Sequence, residues 1–478
     1  MSERFVVVGA DAAGLSAASK CRRTDPDREV VVFDAGSWVS FAHCGTPYYV
    51  KGEIEELTAM TALTPAEVRD RGIDLRTDHR VSAVDTTEQQ VTVETPDGPM
   101  ELGYGALLIA TGAHARTTPL ADEQLDGVFT LHGLDDAAAI RAFLTEPTAY
   151  NRDDVGADDR LRWDRVDAMG AMDAPEQMAI IGGGYVGVEM AEALSAWDVD
   201  VVLLHRGPRL LERFGQAVGD RAVEALETLG VTVELETEVQ SVEAVAGQLS
   251  SVLAADGRSW AAQGAVVGTG ITPATGLIAD TPIALGDSGA IATDAFGETS
   301  VSGVYAAGDV AESIHVVTGE ATWDPLGLPA NRAGRAIGAT IGGEQTTVGQ
   351  VAHTAMVKAG AIEAGRTGII SEDVAEMAGY DPLAVEIEAA SRSHYYPGAE
   401  PLWVRLVADR QTHRVLGGVT AGTDGAALRI NTLATALHAV YPACSAVDLM
   451  NVDMGYAPPF SPVWDPVLTA AKVLDGRL

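Results

Sequence analysis

The sequence predicts an α/β protein: two doubly wound, Rossmann-like nucleotide-binding domains followed by a C-terminal α+β domain. Three observations predict it. An apolar strand, a glycine turn, a helix and a second apolar strand occupy residues 4–34, as RFVVVG, ADAAG, LSAASKCRR and EVVVFD. The same order recurs at 178–206, as MAIIGGG, YVGVEMAEALSAW and VDVVLLHR. Beyond residue 345 or so the composition is mixed, with amphipathic segments and no further glycine fingerprint. Two such βαβ units in one chain imply two nucleotide sites.

The 478 residues suit several domains rather than one core. Apolar residues make up 47% and charged residues 21%, which excludes disorder over most of the length. There are 68 acids against 32 bases, a formal charge of −36. Only four of the bases are lysines: Lys20, Lys51, Lys358 and Lys472. A field this negative repels nucleic acid and anionic membrane, so neither is expected as a partner. The acids are spread along the chain, which predicts a solvated shell suited to a high-salt cytoplasm, where ions screen self-repulsion.

The three cysteines, Cys21, Cys44 and Cys444, are too few and too odd for a disulfide framework, and no CxxC metal spacing occurs. No metal site is expected. The start, MSERFVVVGADAAG, lacks a basic region followed by a long apolar run, so no signal peptide is expected. No stretch approaches the roughly 18 apolar residues of a membrane span. A cytoplasmic protein is the expectation.

The first fingerprint runs Gly9-Ala10-Asp11-Ala12-Ala13-Gly14. Gly9 supplies a tight turn and Gly14 close packing of helix on strand. Asp11 replaces the usual middle glycine. Asp34 lies twenty residues beyond Gly14 at a strand end, where an acid holds a ribose hydroxyl. The helix N-terminus offers a site for pyrophosphate. Next, the run ALLIATGA (106–113) reads as a buried strand ending in Ala110-Thr111-Gly112, suited to a sheet edge near a ligand.

Residues 148–174 are acidic and poorly periodic, and read as an exposed insertion. The second fingerprint is complete, with Gly182, Gly184 and Gly187 at its glycine positions. His205 and Arg206 end its second strand, with Arg209 and Arg213 beyond and no acid for a ribose. Bases there favour a 2′-phosphate, hence NADPH over NADH. The strand SGVYAAGD ends in Asp309, placed to point into a ligand crevice. Cys44 sits in SFAHCGTPYY, just after the first unit. At a helix N-terminus its thiolate is favoured; a lone cysteine is otherwise a small buried hydrophobe.

The succession SFAHCGTPYY, ATGA, the second GxGxxG, VYAAGD, WDPLGLPANRAGR and YAPPFSPVWDP resembles the flavin-dependent pyridine nucleotide–disulfide oxidoreductases. Within them it resembles the single-cysteine branch of coenzyme A-disulfide reductases and related NAD(P)H oxidases. The resemblance implies FAD held by Gly9, Ala10, Gly14, Asp34, Val81, Thr111, Gly112 and Asp309. It implies an FAD-binding domain at 1–115 and 273–340. It implies an NAD(P)H-binding domain at 116–272, carrying the 148–174 insertion, and a dimerisation domain at 341–478, hence a homodimer. Cys44 falls on the redox-active cysteine. Five residues on, where the two-cysteine branch has its second, stands Tyr49. The His-Pro base of that branch is also missing, since His438 is followed by AVYP.

The implied reaction carries reducing equivalents from NADPH, with NADH also possible, through the flavin to Cys44. The Cys44 thiolate attacks a small-molecule disulfide, coenzyme A disulfide or similar, and keeps one half as a mixed disulfide. Tyr395 or Tyr396, and Tyr456, match tyrosines that the family brings from the partner subunit near the sulfur. For coenzyme A the resemblance points to Lys20, Arg23, Ser40, His43 and Asn331, with His43 where many relatives have Asn and Trp464 where some have Lys. The alternatives are an NAD(P)H oxidase working through a Cys44 sulfenate and a redox-sensing flavoprotein with little turnover.

Overall fold

Phe5–Val8 is buried at all four residues, as expected of a strand covered on both faces of a parallel sheet. In the computed structural model, which describes residues 4–116, 125–156, 158–439 and 443–478, it lies at the centre of five strands. The order is Val304–Ala306, Ala106–Ile109, Phe5–Val8, Val30–Phe33 and Asp74–Arg76, all parallel. The register sets Phe5 beside both Val30 and Ala106. Ala106–Ile109 is therefore an interior strand, not the sheet edge expected. Its four apolar residues need cover on both sides, and only its C-terminal end opens on the crevice.

The second parallel sheet runs Thr232–Glu234, Asp200–Leu204, Gln177–Ile181, Gly264–Val267 and Val128–Thr130. The two glycine turns repeat one geometry. Gly9 and Gly182 adopt φ of 107° and 117°, open to glycine alone among common residues. A Cβ on Gly14 would fall 1.8 Å from the Gly9 carbonyl oxygen, and one on Gly187 would fall 1.8 Å from that of Gly182. Each helix thus starts in contact with the strand that precedes it.

Close packing also fixes the helix Gly327–Ile341 against Ala12–Thr24. Gly334 and Gly338 face the backbone of Ala13 and Ala17, so that a Cβ would lie 2.0 Å and 2.2 Å from their carbonyl oxygens. The C-terminal residues form an antiparallel five-stranded sheet in the order Ala355–Ala359, Ile362–Gly368, Val415–Gly422, Pro401–Asp409, Pro382–Ala390. Helices Ala426–Leu437 and Pro466–Asp475 pack on it around Val404, Leu406, Ile430, Leu433 and Leu474. This is the α+β domain the sequence predicts.

Segment 148–174 is not the exposed excursion expected. Val155, Leu161, Val166 and Met169 are buried, and the Tyr49 phenol donates to the Val155 carbonyl oxygen at 2.8 Å. Short helices at Arg152–Val155 and Trp163–Gly170 turn these few apolar residues inward and leave the acids outside. The abundance of acids hides that spacing in the sequence.

One buried carboxylate joins three parts of the molecule. Glu192, in the helix Tyr185–Leu194, accepts from Lys51 Nζ at 2.8 Å and from the Gly360 backbone N–H at 2.8 Å; Lys358 Nζ lies at 3.7 Å. Nearby, Trp197 Nε1 donates to the Val50 carbonyl at 2.9 Å, and Arg141 Nη1 donates to that of Tyr49 at 3.3 Å. Among the described residues no helix is long and apolar enough to cross a membrane.

Candidate active site

The first glycine turn is pinned by the acid that follows it. Asp34 Oδ2 accepts from the Ala10 backbone N–H at 2.7 Å, and Oδ1 accepts from Gly36 N–H at 2.8 Å. Burial raises the Asp34 pKa most, against these two hydrogen bonds, which lower it. The helix Ala12–Thr24 begins at Asp11, whose side chain does not cap it, and no acid lies in its first turn. Its N–H groups and positive dipole end therefore stay available to an anion. Gly308, with φ of 82°, brings the chain close to Ala13, and Asp309 follows it. A glycine turn without room for a Cβ, a half-buried acid at the strand end and an uncapped helix start fit a dinucleotide diphosphate and ribose.

Thr111 and Gly112 follow the C-terminal end of the interior strand Ala106–Ile109. Thr111 Oγ1 donates to the Ala274 carbonyl at 2.9 Å, tying the two crossings between the parallel-sheet domains. Val81 pairs with Val93 and its side chain lies in the core, so it offers only backbone to a ligand.

The cysteine loop is bound to this turn at three points. Ser40 takes a positive φ of 53°, and its N–H donates to the Ala10 carbonyl at 3.0 Å. Phe41 N–H donates to Asp11 Oδ1 at 3.1 Å. His43 Nε2 lies 2.6 Å from Asp11 Oδ2, while Nδ1 lies 3.0 Å from the His132 carbonyl oxygen. A 3-10 turn, His43–Gly45, carries Cys44 into the helix Thr46–Lys51, with Pro47 in its first turn. Cys44 is exposed, whereas Cys21 is buried and Cys444 half-buried.

Cys44 precedes a helix, but its surroundings do not favour the thiolate. Burial raises its pKa, and the charges of Glu189 and Asp309 raise it further. Asp309 shares its environment with His43, since each responds to the other's charge. His43 and Cys44 of the cysteine loop and Asp309 of a distant strand end thus come within charge range of one another. Burial pushes Cys21 up to about 11, which makes it an inert core thiol.

At the second turn, His205 Nδ1 accepts the Gly183 N–H at 3.1 Å, and burial lowers its pKa. His205 thus supports the turn as a neutral ring. The cationic part expected of it falls to Arg206, which is exposed. The helix Tyr185–Leu194 starts without a side-chain cap and without an acid in its first turn, as the first one does.

Glu189 of that helix reaches toward Cys44 and Tyr48, whose phenol lies 3.5 Å from Oε1. Burial raises its pKa from 4.5 to about 7, partly offset by Tyr48, and Glu192 adds to the rise. A carboxyl raised in the fold favours the folded state while protonated. That contribution is complete below pH 4.5 and is lost as pH rises through about 7. Glu189→Gln is therefore expected to match the wild type in acid and to become the more stable of the two across this window. Denaturation midpoints of both proteins against pH check it, and a constant difference would contradict it.

The residues expected to meet coenzyme A are only partly brought together. Ser40 and His43 adjoin Cys44. Lys20 Nζ is paired with Glu344 at 2.7 Å, and Asn331 Oδ1 accepts from Ser16 Oγ at 2.7 Å, so both are already engaged. Arg23 is exposed on the same helix as Lys20. Tyr395 and Tyr456 pair through their phenols at 3.2 Å on the C-terminal domain, with Tyr396 beside them, and all three are exposed. Among the described residues of one chain, no hydrogen bond links them to the cysteine loop.

Sequence reasoning missed Glu189, Tyr48 and His132, and read Asp11 only as an imperfect fingerprint. The available signal was paired: Asp11 and His43 both depart from the usual residue, and they touch.

Residues 3–324 match the family model "Pyridine nucleotide-disulphide oxidoreductase", and 354–466 match its dimerisation domain. The chain belongs to this family. It is accordingly an enzyme, an NAD(P)H-dependent flavoprotein oxidoreductase that uses FAD. It is 35% identical over 99% of both chains to the NAD(P)H coenzyme A polysulfide/persulfide reductase of Pyrococcus horikoshii. It is 36% identical to the CoA-dependent NAD(P)H sulfur oxidoreductase of Pyrococcus abyssi, over 99% of this chain and 98% of the relative. A NAD-dependent persulfide reductase from A. fulgidus superposes with a TM-score of 0.88 at 31% identity, over 99% of this chain and 83% of the other.

Proposed function

We propose that this oxidoreductase reduces coenzyme A disulfide, or a coenzyme A persulfide or polysulfide, with Cys44 as its working sulfur. The observation that carries the reading is the placement of one exposed thiol. Cys44 is held by its loop to the first nucleotide turn and lies within charge range of Glu189 from the second nucleotide domain. Both other cysteines are free, and Tyr49 stands where a second redox cysteine would have to be. An internal disulfide is unavailable, so the oxidised partner of Cys44 must come from the substrate. The relatives named for coenzyme A-dependent sulfur reduction support that choice.

Gly9, Ala10, Gly14, Asp34, Thr111, Gly112 and Asp309 would hold FAD. When bound, it supplies two-electron transfer between the nicotinamide and sulfur. The chain's own part is to place the thiol. The Cys44 thiolate attacks one sulfur of the substrate; the S–S bond breaks, a Cys44–S bond forms, and the other half leaves as a thiolate that takes a proton. The exchange itself consumes no electrons; the two electrons of one NAD(P)H then cleave the mixed disulfide and release the second thiol. The balance is one disulfide, one NAD(P)H and one proton giving two thiols and NAD(P)⁺.

The exposed C-terminal side chains Tyr395, Tyr396, Tyr456, Phe460, Val463 and Trp464 form a face suited to burial in a homodimer. That arrangement would bring the phenols of one subunit to the sulfur of the other. Arg206 supports a preference for NADPH. Arg206→Glu is expected to raise the KM for NADPH by roughly tenfold or more, the loss of a charged hydrogen bond, and that for NADH far less. Steady-state kinetics with both coenzymes check it; equal effects would remove the preference.

The test of the main reading is a disulfide screen of the flavin-loaded protein at high salt, followed by the mass of the Cys44 peptide. NADPH loss that requires coenzyme A disulfide or persulfide, with a coenzyme A adduct on Cys44, is the expected result. Oxygen uptake equal to NADPH loss without added disulfide would make it an oxidase. Neither would make it a sensor.

A further inference from the structure

We propose that His205 is a positioning residue of the coenzyme turn: the lone pair of its Nδ1 holds the Gly183 N–H, so the turn stays shaped for a pyridine nucleotide only while the ring is neutral. The proposal rests on the second glycine turn being the coenzyme's, which Gly187→Ala decides separately.

The two glycine turns are latched from the same place. In the first, the residue after strand Val30–Phe33 is Asp34, and its Oδ2 accepts from the Ala10 N–H at 2.7 Å. In the second, the residue after strand Asp200–Leu204 is His205, and its Nδ1 accepts from the Gly183 N–H at 3.1 Å. Ala10 and Gly183 each follow the positive-φ glycine of their turn, Gly9 or Gly182. A carboxylate has several lone pairs for such a bond, whereas an imidazole has one, and only in its neutral form.

The ring has nowhere else to go. A Cβ on Gly183 would lie 2.9 Å from His205 Cγ, and one on Gly207 would lie 2.8 Å from Nε2, so the imidazole is wedged between two glycines. Its backbone is fixed on both sides. The His205 N–H donates to the Glu234 carbonyl at 2.9 Å, and its carbonyl accepts from the Thr237 N–H at 2.8 Å. Gly183 is held likewise, its carbonyl accepting from the Leu211 N–H at 2.8 Å. A proton on Nδ1 would set two donors against each other and leave the N–H of buried Gly183 unpaired. The turn must open to relieve this, and the arrangement of N–H groups that receives a diphosphate is then lost.

Little around the ring offsets that loss. Burial acts on its ionisation most and sets its pKa below the usual 6.5; Arg206 works in the same direction, while Glu212 and the Arg209 backbone oppose. From the neighbouring strand Thr232–Glu234, Glu234 turns its carboxylate to Arg258 at 2.8 Å. Nε2 is buried and finds no hydrogen bond of good geometry among the described residues, although the Arg209 backbone lies near enough to favour a proton on the ring.

The test is the KM for NADH against pH, read on the flavin-loaded protein. NADH is the probe because the 2′-phosphate of NADPH has its own titration near pH 6, at about the value of other phosphomonoesters. In the wild type the KM is expected to rise as pH falls below 6.5, approaching about tenfold per pH unit once the ring is protonated. His205→Asn puts an amide oxygen at the place of Nδ1 and cannot take up a proton there. It is expected to keep the neutral-pH KM and to lose the acid rise. His205→Leu removes the acceptor and is expected to raise the KM about tenfold at every pH, the loss of one hydrogen bond to a buried N–H, with flavin content and kcat at saturation unchanged. An acid rise that persists in His205→Asn would overturn the proposal, as would a wild-type profile as flat as that of His205→Asn. A wild-type KM in His205→Leu at neutral pH would overturn it too. Should His205→Leu fail to fold, the two profiles of wild type and His205→Asn still decide.

Discussion

Cys44→Ser is expected to lower disulfide-dependent NADPH oxidation by roughly a thousandfold or more, while the purified protein stays yellow. The loss follows from chemistry: a serine hydroxyl at neutral pH neither attacks a disulfide nor holds half of it. The retained colour follows from structure. The loop is fastened to the glycine turn by Ser40, Phe41 and His43, and none of these bonds runs through the sulfur. The side chain is exposed, so its replacement leaves no cavity. Absorbance of the bound flavin and coupled NADPH loss are read on one sample. Retained turnover would remove Cys44 from the reaction; a colourless protein would show that the loop depends on the sulfur itself.

Gly14→Ala and Gly187→Ala are expected to separate the two nucleotide sites. Each added Cβ would lie 1.8 Å from a backbone carbonyl oxygen, of Gly9 or Gly182, with no flexible side chain to move aside. The helix must then lift from its strand, at a cost of about 1–3 kcal/mol or more for overpacking. In Gly14→Ala the lift opens the turn held by Asp34, and the protein is expected to be purified with little or no flavin. In Gly187→Ala the first turn is untouched. That variant is expected to keep its flavin but to lose reduction by NADPH and NADH alike. Flavin content and the rate of anaerobic bleaching measure the two losses. Flavin loss in Gly187→Ala, or full reduction of it, would contradict the assignment of the second turn.

The parallel sheets and both glycine turns were legible because unbroken apolar runs and obligate glycines leave few alternatives. Val30–Phe33 and Asp200–Leu204 read as strands at once, since β-branched residues buried on both faces suit little else. The segment 148–174 was misread because four inward apolar residues are diluted among acids. The strand Ala106–Ile109 was placed at an edge because composition does not state neighbours, which depend on distant Val304–Ala306. Within the site, single-position roles were legible where a motif fixed them, as for Gly9, Asp34 and Cys44. Roles set by partners far apart in sequence were not. Lys20 looked available until Glu344 was found beside it, and His205 looked cationic until Gly183 N–H was found on its ring nitrogen. Nothing local announces that Asp11 will meet His43.

The Glu192 junction bears on how the enzyme cycles. Swinging the nicotinamide domain away from the flavin domain would strip a buried carboxylate of Lys51, and would break the Trp197 and Arg141 bonds to the Val50 and Tyr49 carbonyls. Leaving such a charge unpaired is costly. The coenzyme is therefore expected to enter and leave with the two domains held together. Two fluorophores placed on the separate domains should report one unchanging distance from the resting to the reduced enzyme.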